Sequence, residues 1–82
     1  MKQLSITDEE MQRIYQTIGK NVKRIRQEKN VSQLKLALAI GHKAVGVISL
    51  AELGTKKHFN VEHLVKIADV LEVDLGEFFR DL

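Results

Sequence analysis

The 82-residue chain contains no cysteine, no proline and no tryptophan, and its aromatic residues are one Tyr and three Phe. Without cysteine there is no disulfide framework and no thiolate metal site, so a chain this short must be held by packing, which self-association commonly supplements. The length leaves room for one core, and residues 1–82 are expected to form a single domain without a second catalytic or ligand-binding module. No apolar run approaches the roughly 18 to 20 residues of a membrane-spanning helix, and the polar stretch Met1 to Met11 does not read as a signal peptide. No membrane association is therefore expected, and the cytoplasm is the expected location. No glycine-rich phosphate loop follows a strand, and no nucleophile has an evident base and orienting group, so the chain does not read as an enzyme. His42, His58 and His63 lack the i, i+4 spacing of helical metal ligands and have no acidic cluster beside them. Neither a metal nor a cofactor is expected.

What is present is a balance of apolar and charged residues, 44% and 29%, typical of a soluble globular chain. The net charge of +2 conceals a strong segregation of sign. Lys20 to Lys57 holds nine basic residues against Glu28 and Glu52, a local net of +7. From His58 onward only Lys66 and Arg80 face Glu62, Asp69, Glu72, Asp74, Glu77 and Asp81, a net of −4. A basic middle with an acidic tail suits a molecule that offers one face to a polyanion and turns the other away. A merely solvated helix surface is the alternative reading of such charge runs.

The periodicity is helical throughout. Thr7 and Glu10 form a capping-box pattern, so a helix is predicted from Asp8, with Met11, Ile14, Tyr15, Ile18, Val22 and Ile25 on one stripe and an end near Asn30. Ser32 is a good N-cap for a short second helix that Gly41 stops, and a third apolar segment runs from Val45 to Leu53 and ends at Gly54. Thr55 to His58 reads as a loop. Asn60 caps a fourth helix carrying Val61, Leu64, Val65, Ala68 and Leu71, and Asp74 caps a final turn or two holding Leu75, Phe78, Phe79 and Leu82. The expected architecture is a compact, all-α bundle of five helices.

Two short helices meeting at a glycine-containing turn, here Gly41 and His42, have the spacing of a helix-turn-helix. The local text is more specific. Val31-Ser32-Gln33, Leu36-Ala37, Ile40-Gly41 and the run from Ile48 to Gly54 resemble the Cro/C1-type (Xre) helix-turn-helix family, whose fold is lambda-repressor-like. The resemblance extends from about Ile18 to Phe79, leaving residues 1–17 as an N-terminal extension of the first helix. It implies double-stranded DNA as the partner. It also implies a phosphate contact at Gln33 that braces the recognition helix, and makes Lys23, Lys35, Lys43, Lys56 and Lys57 candidates for phosphate neutralisation. An arginine late in the family's first helix commonly pairs with the glutamate before the closing glycine, which implies an internal ion pair between Arg26 and Glu52. Stand-alone domains of this length resemble restriction-modification controller proteins, compact phage repressors and antitoxin partners alike.

The recognition segment departs from the family pattern. Family members usually carry Gln, Arg, Ser, Thr or Asn there, and this helix offers few such groups. One residue more than the usual number separates Gly41 from Ile48. Anchoring the helix on Ile48, Ser49, Glu52 and Gly54 turns Val45, Gly46, Ser49 and Leu50 outward; anchoring on Gly41 turns out Lys43, Ala44, Val45 and Ile48. Gly46 within a helix interior would cost about 1 kcal/mol relative to alanine. The candidate DNA-binding set is therefore Lys23, Gln33, Lys35, Lys43, Ala44, Val45, Gly46, Ser49, Lys56 and Lys57, in a helix expected to begin near Lys43. The expected protein is a homodimeric regulator on a palindromic operator, with Ile67, Val70, Val73, Leu75, Phe78 and Phe79 as the candidate dimer interface. A protein-interaction module with lost DNA binding is the alternative.

Overall fold

The structure is a computed structural model that describes residues 1–82. Four α-helices and one 3₁₀ turn make up the fold, with no strand: α1 Asp8–Glu28, α2 Gln33–Ala39, α3 Gly46–Leu53, α4 Val61–Leu71 and the 3₁₀ turn Leu75–Phe79. The expected fifth helix is thus a 3₁₀ turn of five residues. Glu72 (φ 57°) ends α4 only three residues before the turn, and Arg80 already returns to extended backbone beyond it, so no length remains to propagate α-helix.

Each boundary has a local cause. Thr7 Oγ1 accepts from the Glu10 amide at 3.0 Å while the Glu10 carboxylate accepts from the Thr7 amide at 3.3 Å, closing the capping box of α1. Asn30, with φ 58°, stops that helix. Ser32 Oγ accepts from the Lys35 amide at 3.0 Å and starts α2. At α4, Asn60 Oδ1 accepts from the His63 amide at 2.7 Å, and His63 Nδ1 accepts from the Asn60 amide at 3.4 Å. A histidine here fills the role that Glu or Gln usually takes in a capping box.

α3 differs from expectation at its start. Lys43 and Ala44 lie in the connection, Val45 is the residue preceding the helix, and Gly46 is its first residue. Gly46 is therefore a first-turn residue and not an interior one, so the cost quoted for a helix interior does not apply to it. Six residues, Ile40 to Val45, connect α2 to α3.

One core of 14 buried residues joins all five elements, with Val22, Leu36, Ile48, Ile67 and Phe78 as its fully buried large side chains. Two glycines allow α1 to lie directly on α3. A Cβ on Gly19 would run into the carbonyl oxygen of Glu52 and sit 2.7 Å from that of Ala51. Gly54 (φ 69°) ends α3 in the left-handed region, where a Cβ would come within 2.7 Å of Gln16 Cα. The chain end is tied back by Asn21, buried in α1, whose Nδ2 donates to the carbonyls of Phe78 at 3.0 Å and Arg80 at 2.8 Å.

Candidate nucleic-acid interface

The site is assembled around a buried charge pair. Arg26 Nε donates to Glu52 Oε2 at 2.7 Å and Nη2 donates to Oε1 at 3.1 Å, a bidentate arrangement. The third donor, Nη1, reaches the Val31 carbonyl at 2.8 Å, and Gln33 Nε2 donates to Glu52 Oε1 at 2.9 Å. The two charged side chains retain only 7% and 2% exposure. One carboxylate thereby ties together the end of α1, the first residue of α2 and the last turn of α3. Gln33 thus spends one of its two amide N–H groups on Glu52, while its second N–H and its oxygen make no bond within the chain.

This pair also determines the charge of the surface. From Lys29 to Asn60 the only acidic residue is Glu52, and it is buried. Lys35 in the first turn of α2, Lys43 before α3, and Lys56 and Lys57 after α3 are all exposed, as is Lys23 on α1. The face built from α2, α3 and their connections therefore exposes cations and no anion.

The register of α3 follows Ile48, which is fully buried, as are Ala51 and Glu52 to within a few per cent. Val45 and Leu50 point outward with 39% and 44% exposure, and Gly46 and Ser49 are half-buried beside them. Anchoring on Gly41, which would have exposed Ile48, is ruled out by that burial. Ala44 is exposed, but in the connection rather than on the helix. Val45 supplies no side-chain cap, so the opening amides of α3 have no side-chain partner.

The loop after α3 is held by an aromatic stack that composition alone did not suggest. Tyr15 and His58 lie face to face, ring centroids 3.8 Å apart and planes 8° from parallel, which fixes the end of the segment carrying Lys56 and Lys57. His42 and His63 meet edge to face at 5.5 Å, and His63 closes one side of a groove lined also by Gly46, Val47, Leu50 and Lys57. Burial holds the His63 imidazole below its ordinary pKa, reinforced by His42 and Lys66 and opposed by Glu62.

The residues expected at a dimer interface divide in two. Ile67 and Phe78 are fully buried in the chain's own core, so they cannot present side chains to a partner. Asn21 holds the Phe78 carbonyl, and at this turn the Phe78 side chain is buried while that of Phe79 is exposed. Val70, Leu75 and Phe79 are 40%, 36% and 39% exposed, and Val73 is half-buried. Leu75 and Val73 line a surface groove of about 780 Å³ together with Asp69, Glu72, Asp74 and Glu77.

Sequence reasoning missed Asn21, Gly19 and the Tyr15–His58 stack. A glycine in mid-helix was a usable signal for Gly19; nothing local marks Asn21 or the stack, whose partners lie far along the chain. No helix is long and apolar enough to cross a membrane. None of the curated proteins compared with the chain matches it. A family model described as helix-turn-helix matches residues 22–78, from the last third of α1 into the 3₁₀ turn, and so takes in the Arg26–Glu52 pair, α2, α3 and the lysine loop. The chain belongs to the Cro/C1-type (Xre) helix-turn-helix family, a family of DNA-binding regulators.

Proposed function

We propose that the protein is a homodimeric transcriptional regulator of the cytoplasm that binds a palindromic site in double-stranded DNA, each subunit laying α3 in a major groove. The observation that carries this reading is the surface from Lys29 to Asn60, where the one carboxylate is buried against Arg26 and the lysines remain outside. Lys23, Lys35, Lys43, Lys56 and Lys57 neutralise phosphates, while Val45, Gly46, Ser49 and Leu50 meet the base edges. Ala44 and the opening amides of α3 lie where the backbone enters the groove. No cofactor takes part. Val70, Val73, Leu75 and Phe79 form the dimer contact, with the two recognition helices about 34 to 36 Å apart.

A fluorescence-polarisation titration with random-sequence duplex tests the reading. Affinity is expected to fall with salt by about 0.9 logarithmic unit per neutralised phosphate. A titration unchanged between low and moderate salt overturns it. The exposed Val45, Leu50 and Leu53 favour a second reading, a protein-docking helix, which predicts no salt-dependent binding to duplex in the same titration.

A further inference from the structure

We propose that α3 reads the 5-methyl group of pyrimidines in the major groove, through Leu50 and Val45, in place of a hydrogen-bond code. The inference rests on the DNA-binding reading above and specifies its ligand. Three observations carry it. The outward surface of α3 exposes Val45, Leu50 and Leu53, at 39%, 44% and 64%, and its one polar side chain there is Ser49. Gly46 lies one helical turn before Leu50 on the same face, and the space a Cβ would occupy is open, with no atom within 4 Å. The helix is bracketed by exposed lysines, Lys43 before it and Lys56 and Lys57 after it, with no exposed acid between them.

Lysines on both sides and no free carboxylate complement a duplex, and specify DNA rather than an apolar protein groove as the occupant of this face. Within the major groove, the apolar feature of a base pair is the methyl at C5 of thymine; the remaining edges present donors and acceptors. A leucine pressed onto those polar edges displaces water without replacing its hydrogen bonds, which is unfavourable, whereas the same leucine on a methyl buries apolar surface on both sides. The absent side chain at Gly46 lets the backbone sit low enough for Leu50 to reach the groove floor. A 5-methylcytosine presents its methyl at the same position as thymine, so both bases carry the group recognised.

The test compares paired duplexes that differ only in that methyl. Alternating dA-dT is titrated against alternating dA-dU, and alternating dG-dC against its 5-methylcytosine counterpart, each over a series of salt concentrations. The methylated member of a pair is expected to bind about fourfold more tightly for each methyl that α3 covers. Salt slopes within a pair should be equal, because the phosphates are the same. Discrimination in the first pair assigns the ligand to thymine, in the second to 5-methylcytosine, and either supports the proposal. Leu50→Ala, at an exposed position, should bring the ratio toward one while leaving the salt slope and melting temperature unchanged; Val45→Ala should do so in part. Equal affinities with a normal salt slope overturn methyl reading and leave DNA binding intact. A thymine preference that persists in both variants also overturns it, since the methyl would then act through duplex shape. Absence of salt-dependent binding to every duplex overturns both readings.

Discussion

The α2–α3 face and the α4 face are built from similar apolar helices and differ in where their carboxylates lie. On the first, the single glutamate between Lys29 and Asn60 is withdrawn into a bidentate pair with Arg26. On the second, Glu62, Asp69, Glu72, Asp74 and Glu77 stay near the surface, and the two cations of that region are engaged locally, Lys66 with Glu62 at 3.3 Å and Arg80 with Glu77 at 3.4 Å. Net charge therefore says little about either surface, because it is burial that decides which charges a partner meets. The Arg26–Glu52 pair has two consequences at once: it fixes three helices, and it clears negative potential from the face they share.

Breaking that pair should produce the largest effect. Glu52→Ala strands a guanidinium whose side chain is only 7% exposed, leaves Gln33 without its acceptor, and is expected to lower unfolding free energy by about 3 to 5 kcal/mol. Chemical denaturation measures it. A decrease of under about 1 kcal/mol, the scale of an exposed ion pair, would show that the pair does not hold the helices together.

How far the two faces were legible in the sequence follows from the range of the interactions that make them. Caps are local, so Thr7, Ser32, Asn60 and Gly54 could be read directly, and the starts of α1, α2 and α4 and the end of α3 followed, whereas the uncapped start of α3 did not. The direction of α3 could not, because the extra residue after Gly41 left two registers open and only the burial of Ile48 selects one. The interface reading failed at Ile67 and Phe78 for a related reason. An apolar pattern identifies residues that avoid water without saying whether they meet their own chain or another. For Phe78 the answer lies in residues distant in sequence: its side chain joins the common core, and its carbonyl is held by Asn21, 57 residues away.

Removing lysines sharpens the comparison next. Replacing Lys43, Lys56 and Lys57 together by Gln should weaken binding to all duplexes alike and reduce the salt slope by about 0.9 for each phosphate no longer neutralised. Lys66→Gln, on α4 and already paired with Glu62, should leave both unchanged. A change confined to one DNA sequence would mean that these lysines read bases instead of phosphates.

The acidic face should respond to salt with the opposite sign. If two copies meet through Val70, Leu75 and Phe79, the acidic groups around the groove are brought within about a Debye length of one another, and added salt relieves their repulsion. Sedimentation equilibrium is expected to show dimerisation strengthening as salt rises from low to moderate concentration, while DNA binding weakens. Phe79→Asp should give a monomer whose own melting changes little, since Phe79 is 39% exposed and Phe78 holds the core. A parent that is monomeric at concentrations well above those that saturate DNA removes the interface altogether.

The smallest expected effect lies at the seam between the two faces, where His63 caps α4 and closes the groove beside α3. Its imidazole is held below its ordinary value of 6.5, first by burial and then by His42. In the unfolded chain that restraint is gone, so in the window below 6.5 the unfolded state binds more protons than the folded one. Stability is therefore intact above 6.5 and declines as pH falls toward the folded-state value. Protonation has a structural cost as well: Nδ1 accepts from the Asn60 amide at 3.4 Å, and an imidazolium has no lone pair to offer there. His63→Gln separates the two effects, because an amide oxygen at this position can close the capping box without titrating. The variant should match the parent in melting temperature at pH above about 7 and lose less stability between about pH 7 and 5, where carboxylates remain mostly ionised. The effect is small because His63 is only half-buried. Parallel pH profiles for the two proteins would place the acid sensitivity elsewhere, and a variant already destabilised above about pH 7 would show that the imidazole contributes by packing against His42 and Phe59 instead.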